Sequence, residues 1–365
     1  MIYWIVFLFL EYILLLTFTS SKKTGARTFI LFLIILLAVY FAGFRDCLGM
    51  DYEGYRNNCE RDRLLSDASW LIDEPLYELV RNFCATTQFS AVIFFIVFAA
   101  LTSVPTLIVY SKYENFFLAG FVYFTYTGLY LFSFNIVRQF ASAGLLVLAA
   151  YYLLKDDKKG KLIFVALVLL SALFHKSALF FLPVMFLGTK SYNPHLIVIL
   201  VVLSFILPVT QIMGLGRIVE VLNMMDYDIY IDYSTSTISK YSLTNLYLHI
   251  MMIPFLFRAK EVASLKNGNM YVFAIKMYAI CLMCNNLAAN DVAIAYRIAI
   301  MFSMYIPLVF SILPIIIGNR QLGNVLIIVP LLILFFAIGL SNPLVVPDKM
   351  LPLNSIWDAV YQKFQ

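Results

Sequence analysis

Two stretches place charge where apolar residues leave it little room. "LYLFSFNIVRQFASAGLLVLAAYYLL", residues 129–154, carries Arg138 with Asn135 and Gln139 beside it, and "LLSALFHKSALFFLPV", residues 169–184, carries His175 and Lys176. An arginine within a membrane span costs at least about 2.5 kcal/mol on insertion scales, so its presence calls for a reason. The planar guanidinium fork suits phosphate oxygens in a way an ammonium does not. Asn135, Arg138 and Gln139 stand at i, i+3 and i+4, so in a helix they share one face. Histidine is the side chain best suited to take a proton from a hydroxyl near neutral pH.

Further chemistry gathers in two polar segments. "FRDCLGMDYEGYRNNCERDRLL", residues 44–65, sets Arg45, Asp46, Asp51 and Glu53 among Tyr52 and Tyr55, and Glu74 and Tyr77 follow in "EPLYELV". Carboxylates that hold hydroxyl pairs, interleaved with rings that stack on pyranose faces, are suited to sugar. The pattern returns at Tyr227, Tyr230 and Tyr233, with Asp226, Asp228 and Asp232 between them. Tyr296 and Arg297 open a later apolar run, just after Asn290 and Asp291. Each feature has an ordinary alternative: an interfacial anchor for Arg138, a hydrogen-bonded structural His175, solvated acidic loops, and an Asp291–Arg297 pair.

The elements that must position these groups are membrane spans. Of 365 residues, 62% are apolar and 13% charged, and the mean hydropathy is +0.88, which is the composition of an integral membrane protein. At about 20 helical residues per crossing, spans fall near 1–19, 28–44, 90–110, 116–134, 136–154, 162–175, 177–189, 196–213, 241–257, 270–286, 296–317 and 322–340. The short pair around His175 reads as two half-helices or a re-entrant hairpin. The expected fold is therefore all-α, a polytopic single transmembrane domain over 1–365 with about 10–12 helices.

Lysine and arginine bias orients the chain. The basic loops 20–27, 155–161 and 258–269 mark the cytoplasmic side, and the N-terminal run reads as a retained span. Segment 45–89, with five arginines against nine carboxylates, and segment 214–240, with Arg217 and Lys240 against four carboxylates, become the two larger extracytoplasmic loops. The chemistry thus faces a compartment without nucleotide sugars. The net charge of +5 comes mostly from these orientation signals and does not point to nucleic acid.

No phosphate-cradling loop, dinucleotide fingerprint, His-Glu-x-x-His or Gly-x-Ser-x-Gly is present. Three scattered histidines make a zinc site improbable, and no metal or cofactor is expected. Cys281 and Cys284 lie in an apolar span, where they read as small hydrophobes rather than a redox pair. At most one disulfide can form among Cys47, Cys59 and Cys84.

Taken in order, "FRDCLGMDYEGY", "EPLYELV", "FNIVRQFASA", "LFHKSALF" and "AYRIAIMFSMY" resemble the EpsG family of exopolysaccharide and O-antigen polymerases, the Wzy-type enzymes, across roughly residues 1 to 310. The resemblance implies a glycosyltransferase in the bacterial inner membrane with its active site facing the periplasm. It implies that a growing glycan on undecaprenyl diphosphate is transferred to the terminal sugar of a fresh lipid-linked repeat unit. The family's first-loop motif falls on Arg45, Gly49, Asp51, Tyr52 and Tyr55, its Asn-x-x-Arg-Gln on Asn135, Arg138 and Gln139, its His-x-Ser on His175 and Ser177, and its Tyr-Arg on Tyr296 and Arg297. Lys176 departs from the pattern as an extra charge and a second phosphate ligand.

On that resemblance Arg138, with Arg45 and Arg297, handles the leaving diphosphate, and the base is His175, Asp46 or Asp51. The substrate contacts are Arg45, Tyr52, Tyr55, Glu74, Tyr77, Asn135, Gln139, Lys176, Arg297, Tyr227 and Tyr230. The partners are undecaprenyl-diphosphate-linked oligosaccharides, membrane lipid and, as an open question, a chain-length regulator. A ligase that moves glycan to another acceptor would need the same diphosphate grip. A transporter using Arg138, His175 and Glu11 as a pathway fits the acidic aromatic loops less well.

Overall fold

The structure is a computed structural model that describes residues 2–45, 49, 51–61, 74–87, 90–206, 242–288 and 293–339. Among them there is no β-strand, and the chain is an all-α polytopic membrane protein. Among the described residues four helices are long and apolar enough to cross a bilayer, or five if a bent pair counts as one span, and six further apolar helices have 10–17 residues. The chain forms two compact units, residues 1–182 with 324–365, and residues 183–323.

The first unit opens with α1 (Ile2–Ser20) and α2 (Thr24–Gly43), joined by the basic loop. Two helices not foreseen in the outer segment follow, α3 (Tyr52–Arg61) and α4 (Pro75–Ala85). Then come α5 (Ser90–Tyr110), α6 (Phe116–Thr125), α7 (Val137–Leu153) and α8 (Lys158–Ala172). Asn115 and Asp157 start α6 and α8 by accepting from the backbone N–H three residues on.

The span expected at 116–134 is shorter than its apolar run. α6 stops at Thr125, and the chain continues through turns to a single 3-10 turn, Phe132–Phe134. Asn135 therefore precedes α7 instead of sharing a helical face with Arg138 and Gln139. The break expected near His175 is present: α8 ends at Ala172 and a 3-10 segment, Lys176–Phe186, follows with Pro183 inside it. Proline has no N–H to give, which disfavours a regular α-helix there.

Close helix approach fixes where the polar residues land. A Cβ on Gly144 would lie 2.5 Å from the Leu101 carbonyl oxygen and 2.7 Å from that of Thr102. Only glycine lets α7 meet the α5 backbone there, as small residues do in membrane bundles. Arg138 lies less than two turns away, toward the N-terminal end of α7.

The second unit holds α9 (Pro194–Ile206), α10 (Leu243–Phe257), α11 (Ala259–Ser264), α12 (Gly268–Ala288), α13 (Ala293–Ser303) and α14 (Ile306–Ile317). α13 and α14 meet at a short break, bent by 53°, as in a broken span or a re-entrant loop. Asn286 on α12 donates to the Ser204 hydroxyl at 3.1 Å and meets His249 Nε2 at 3.3 Å, joining α12 to α9 and α10 through polar contacts. α15 (Arg320–Leu334) follows, and Phe335 beyond it meets Trp4 edge to face at 6.3 Å between centroids.

Candidate active site

The site is assembled where α4 meets the end of α8. Glu74 stands at the N-cap of α4, and Pro75 in the first turn supplies a fixed φ where its missing N–H costs nothing. The next amide, Leu76 N–H, donates to the carbonyl of Leu173 at 3.0 Å. Leu173 is the C-cap of α8, so an orphan donor of one helix satisfies an orphan acceptor of another. His175 follows two residues on, its own N–H bonded to the Ser171 carbonyl at 2.9 Å.

That docking places the Glu74 carboxylate between Arg138 and His175. Oε2 accepts from Arg138 Nη1 at 2.7 Å, and Oε1 lies 2.6 Å from His175 Nδ1. An ionised carboxylate can only accept, so Nδ1 carries the proton of that bond. Nε2 then holds the lone pair of the neutral ring. It is buried and has no hydrogen-bond partner among the described residues. Glu74 and His175 are almost fully buried, whereas the Arg138 side chain keeps 30% of its surface.

Aromatic rings hold the arginines. The Arg138 guanidinium lies 4.7 Å from the Tyr77 ring centre. Arg45, just beyond α2, is held between Phe95 and Phe134 at 4.2 Å and 4.7 Å. Its Nε and Nη2 are buried without a partner among the described residues, beside a cavity of about 10 Å³ that Thr102 and Ser133 also line. Gly49 turns the chain back over this point with φ +99°. A Cβ there would meet the Phe134 carbonyl oxygen at 2.8 Å and Asn135 Oδ1 at 2.9 Å.

The electrostatics follow the geometry. Burial works to raise the Glu74 carboxyl, but the His175 hydrogen bond and then Arg138 leave it below its ordinary value. Burial raises Asp51, and Arg138 and Arg45 reverse only part of that. Burial pushes Arg45 down to about 9, still cationic at neutral pH. Burial pushes the Tyr77 hydroxyl up to about 12.

Of the residues singled out from sequence, Arg45, Asp51, Tyr52, Tyr55, Glu74, Tyr77, Asn135, Arg138, Gln139, His175 and Lys176 all lie in the first unit. Tyr52 stacks on Phe95 at 5.0 Å and Tyr55 on Phe94 at 5.7 Å. With Tyr77 they are buried, so these rings meet protein rings where a sugar face was expected. Both Glu74 oxygens are likewise engaged by the protein. Asn135 and Gln139 are buried, and Lys176 is exposed. Tyr296 and Arg297 lie partly buried on α13 in the second unit. Asp46, Tyr227 and Tyr230 lie outside the described residues.

Phe95 and Phe134, which wall Arg45, were not singled out. Nor was the bridging place of Glu74, although a Glu-Pro step ahead of an amphipathic run is a helix-start signal.

The arrangement offers an oriented base at Nε2 and, a carboxylate away, a partly exposed guanidinium. The sequence matches the family model described as EpsG family over residues 27–355. No curated protein and no solved structure matches it.

Proposed function

Because the chain belongs to the EpsG family, a polysaccharide-polymerase-like family, we propose that it extends a lipid-linked glycan at the outer face of the bacterial inner membrane. The donor is a glycan on undecaprenyl diphosphate, and the acceptor is the terminal sugar of a lipid-linked repeat unit. The observation that carries the reading is the Glu74 carboxylate joined at once to Arg138 and His175.

The acceptor hydroxyl oxygen attacks the anomeric carbon of the donor and gives its proton to His175 Nε2. The bond from that carbon to the diphosphate oxygen breaks, and its electron pair leaves with undecaprenyl diphosphate. Charge grows on the diphosphate as the bond lengthens, so a guanidinium already in place lowers the barrier more than it tightens ground-state binding. Arg138, the more exposed arginine, meets the phosphates, with Arg45 adding positive potential from behind. Glu74 fixes the tautomer and orientation of His175. The step uses side chains alone, so elongation should proceed in EDTA.

The test is purified protein in liposomes with a synthetic polyprenyl-diphosphate repeat unit, EDTA and no nucleotide sugar. A ladder of repeat multiples that His175→Ala abolishes supports the reading. No ladder from folded protein given the correct repeat unit would sink it.

A further inference from the structure

Helix α4 belongs to the outer segment, yet it packs beside the spans. Tyr77 lies 6.0 Å from both Phe94 and Phe98 on α5. Phe98 is eight residues beyond Ser90, about 12 Å along the α5 axis. Tyr77 and Cys84 share one buried cluster with Val137, Ala141 and Leu145 of α7. Its first free amide is bonded to Leu173 at the end of α8. Contacts two turns deep into α5 and at the tip of α8 put α4 level with the end turns of these helices.

Its opposite face is apolar and uncovered. Leu79 and Phe83, at i and i+4, are 57% and 65% exposed. On α8 and its cap, Leu169, Leu170 and Leu173 are also exposed, as residues facing acyl chains are. The α4 patch and this band adjoin through the Leu76–Leu173 bond. Glu78 and Arg81 pair with each other at 2.7 Å, so the helix brings a neutralised polar arc to that boundary. A helix with a charged arc and an apolar arc, held at this depth, meets the conditions for lying in a membrane interface.

We propose that α4 is an interfacial helix whose Leu79–Phe83 face is immersed in the acyl boundary of the outer leaflet. The bilayer thereby sets the level of Glu74 at the helix N-cap. This holds whatever reaction the site performs.

The test uses full-length protein in liposomes, with Phe83→Trp, Leu79→Trp and, on the polar arc, Asn82→Trp, each read as emission added over wild type. Phospholipid brominated near the headgroup end of its acyl chains should quench the added signal at 79 and 83 about twofold. Aqueous iodide should reach only the signal at 82. Iodide quenching at 79 and 83 without lipid quenching would overturn the proposal. So would protection of both from either quencher, which would mean that protein covers the face.

Discussion

His175 Nδ1 lies 2.6 Å from the carboxylate of Glu74, a residue 101 positions earlier in the chain. The imidazole is therefore oriented by a group distant in sequence, at the start of α4. Its remaining nitrogen is buried and without a partner among the described residues. Replacing Glu74 by Gln keeps the bulk and an acceptor oxygen but removes the charge. We expect elongation to fall about 100-fold or more, the usual scale for acid–base assistance. Initial ladder rates would measure this. A rate within about threefold of wild type would remove Glu74 from the mechanism.

Arg138→Lys separates charge from geometry. Lysine keeps the positive charge but loses the fork that can serve Glu74 and a phosphate together. Turnover should fall about tenfold or more with a smaller change in the substrate concentration at half-maximal rate. A raised half-maximal concentration with unchanged turnover would reassign Arg138 to ground-state binding.

Arg45→Met should split stability from activity. Arg45 is 3% exposed, with two unpartnered nitrogens, and an apolar chain of similar length between Phe95 and Phe134 avoids burying that charge. Thermal unfolding in detergent should therefore show no loss, while elongation falls. Full activity in a stable Arg45→Met protein would show that its charge has no part in the reaction.

Gly49→Ala tests the turn that covers Arg45. At φ +99°, with a Cβ only 2.8 Å from a carbonyl oxygen, alanine should destabilise the fold by about 1–3 kcal/mol. The readout is the melting temperature, and an unchanged value would mean that the turn can relax.

Acid should act oppositely on two carboxyls. The folded-state value of Glu74 is below the ordinary 4.5, so its contribution is present above 4.5 and is lost as pH falls through the folded value. The folded-state value of Asp51 is raised above 3.8, so its contribution is present below 3.8 and is lost as pH rises through the folded value. At about pH 7, Glu74→Gln should lower the melting temperature and Asp51→Asn should raise it. Both differences should shrink in acid, and persistence of either would assign its effect to packing rather than charge.

The spans were legible because about 20 apolar residues between polar loops is a strong pattern, and so was the break at His175, where a histidine and a lysine interrupt it. The early end of α6 was not, because residues 126–134 carry no charge and prolong the apolar run, while backbone turns stop the helix at Thr125. α4 was hidden because its apolar residues divide between a protein face, with Tyr77 and Cys84, and an uncovered one, with Leu79 and Phe83. The grouping of Arg45, Arg138 and His175 as charges of one kind of site was readable from type and setting. That Glu74 would link two of them was not, since nothing local to residue 74 specifies a partner 101 residues away.

The Leu76–Leu173 bond and the Glu74–His175 pair also order events during synthesis. At roughly 5–20 residues per second, Glu74 is made about 5 to 20 seconds before His175. Through that interval α8, whose end completes the pair, has not yet been made in full. A chain halted before residue 173 would present α4 with its first amide and the Glu74 carboxylate unmatched. Quality-control proteases that sample the outer face would therefore meet a distinct species until α8 inserts in the correct orientation.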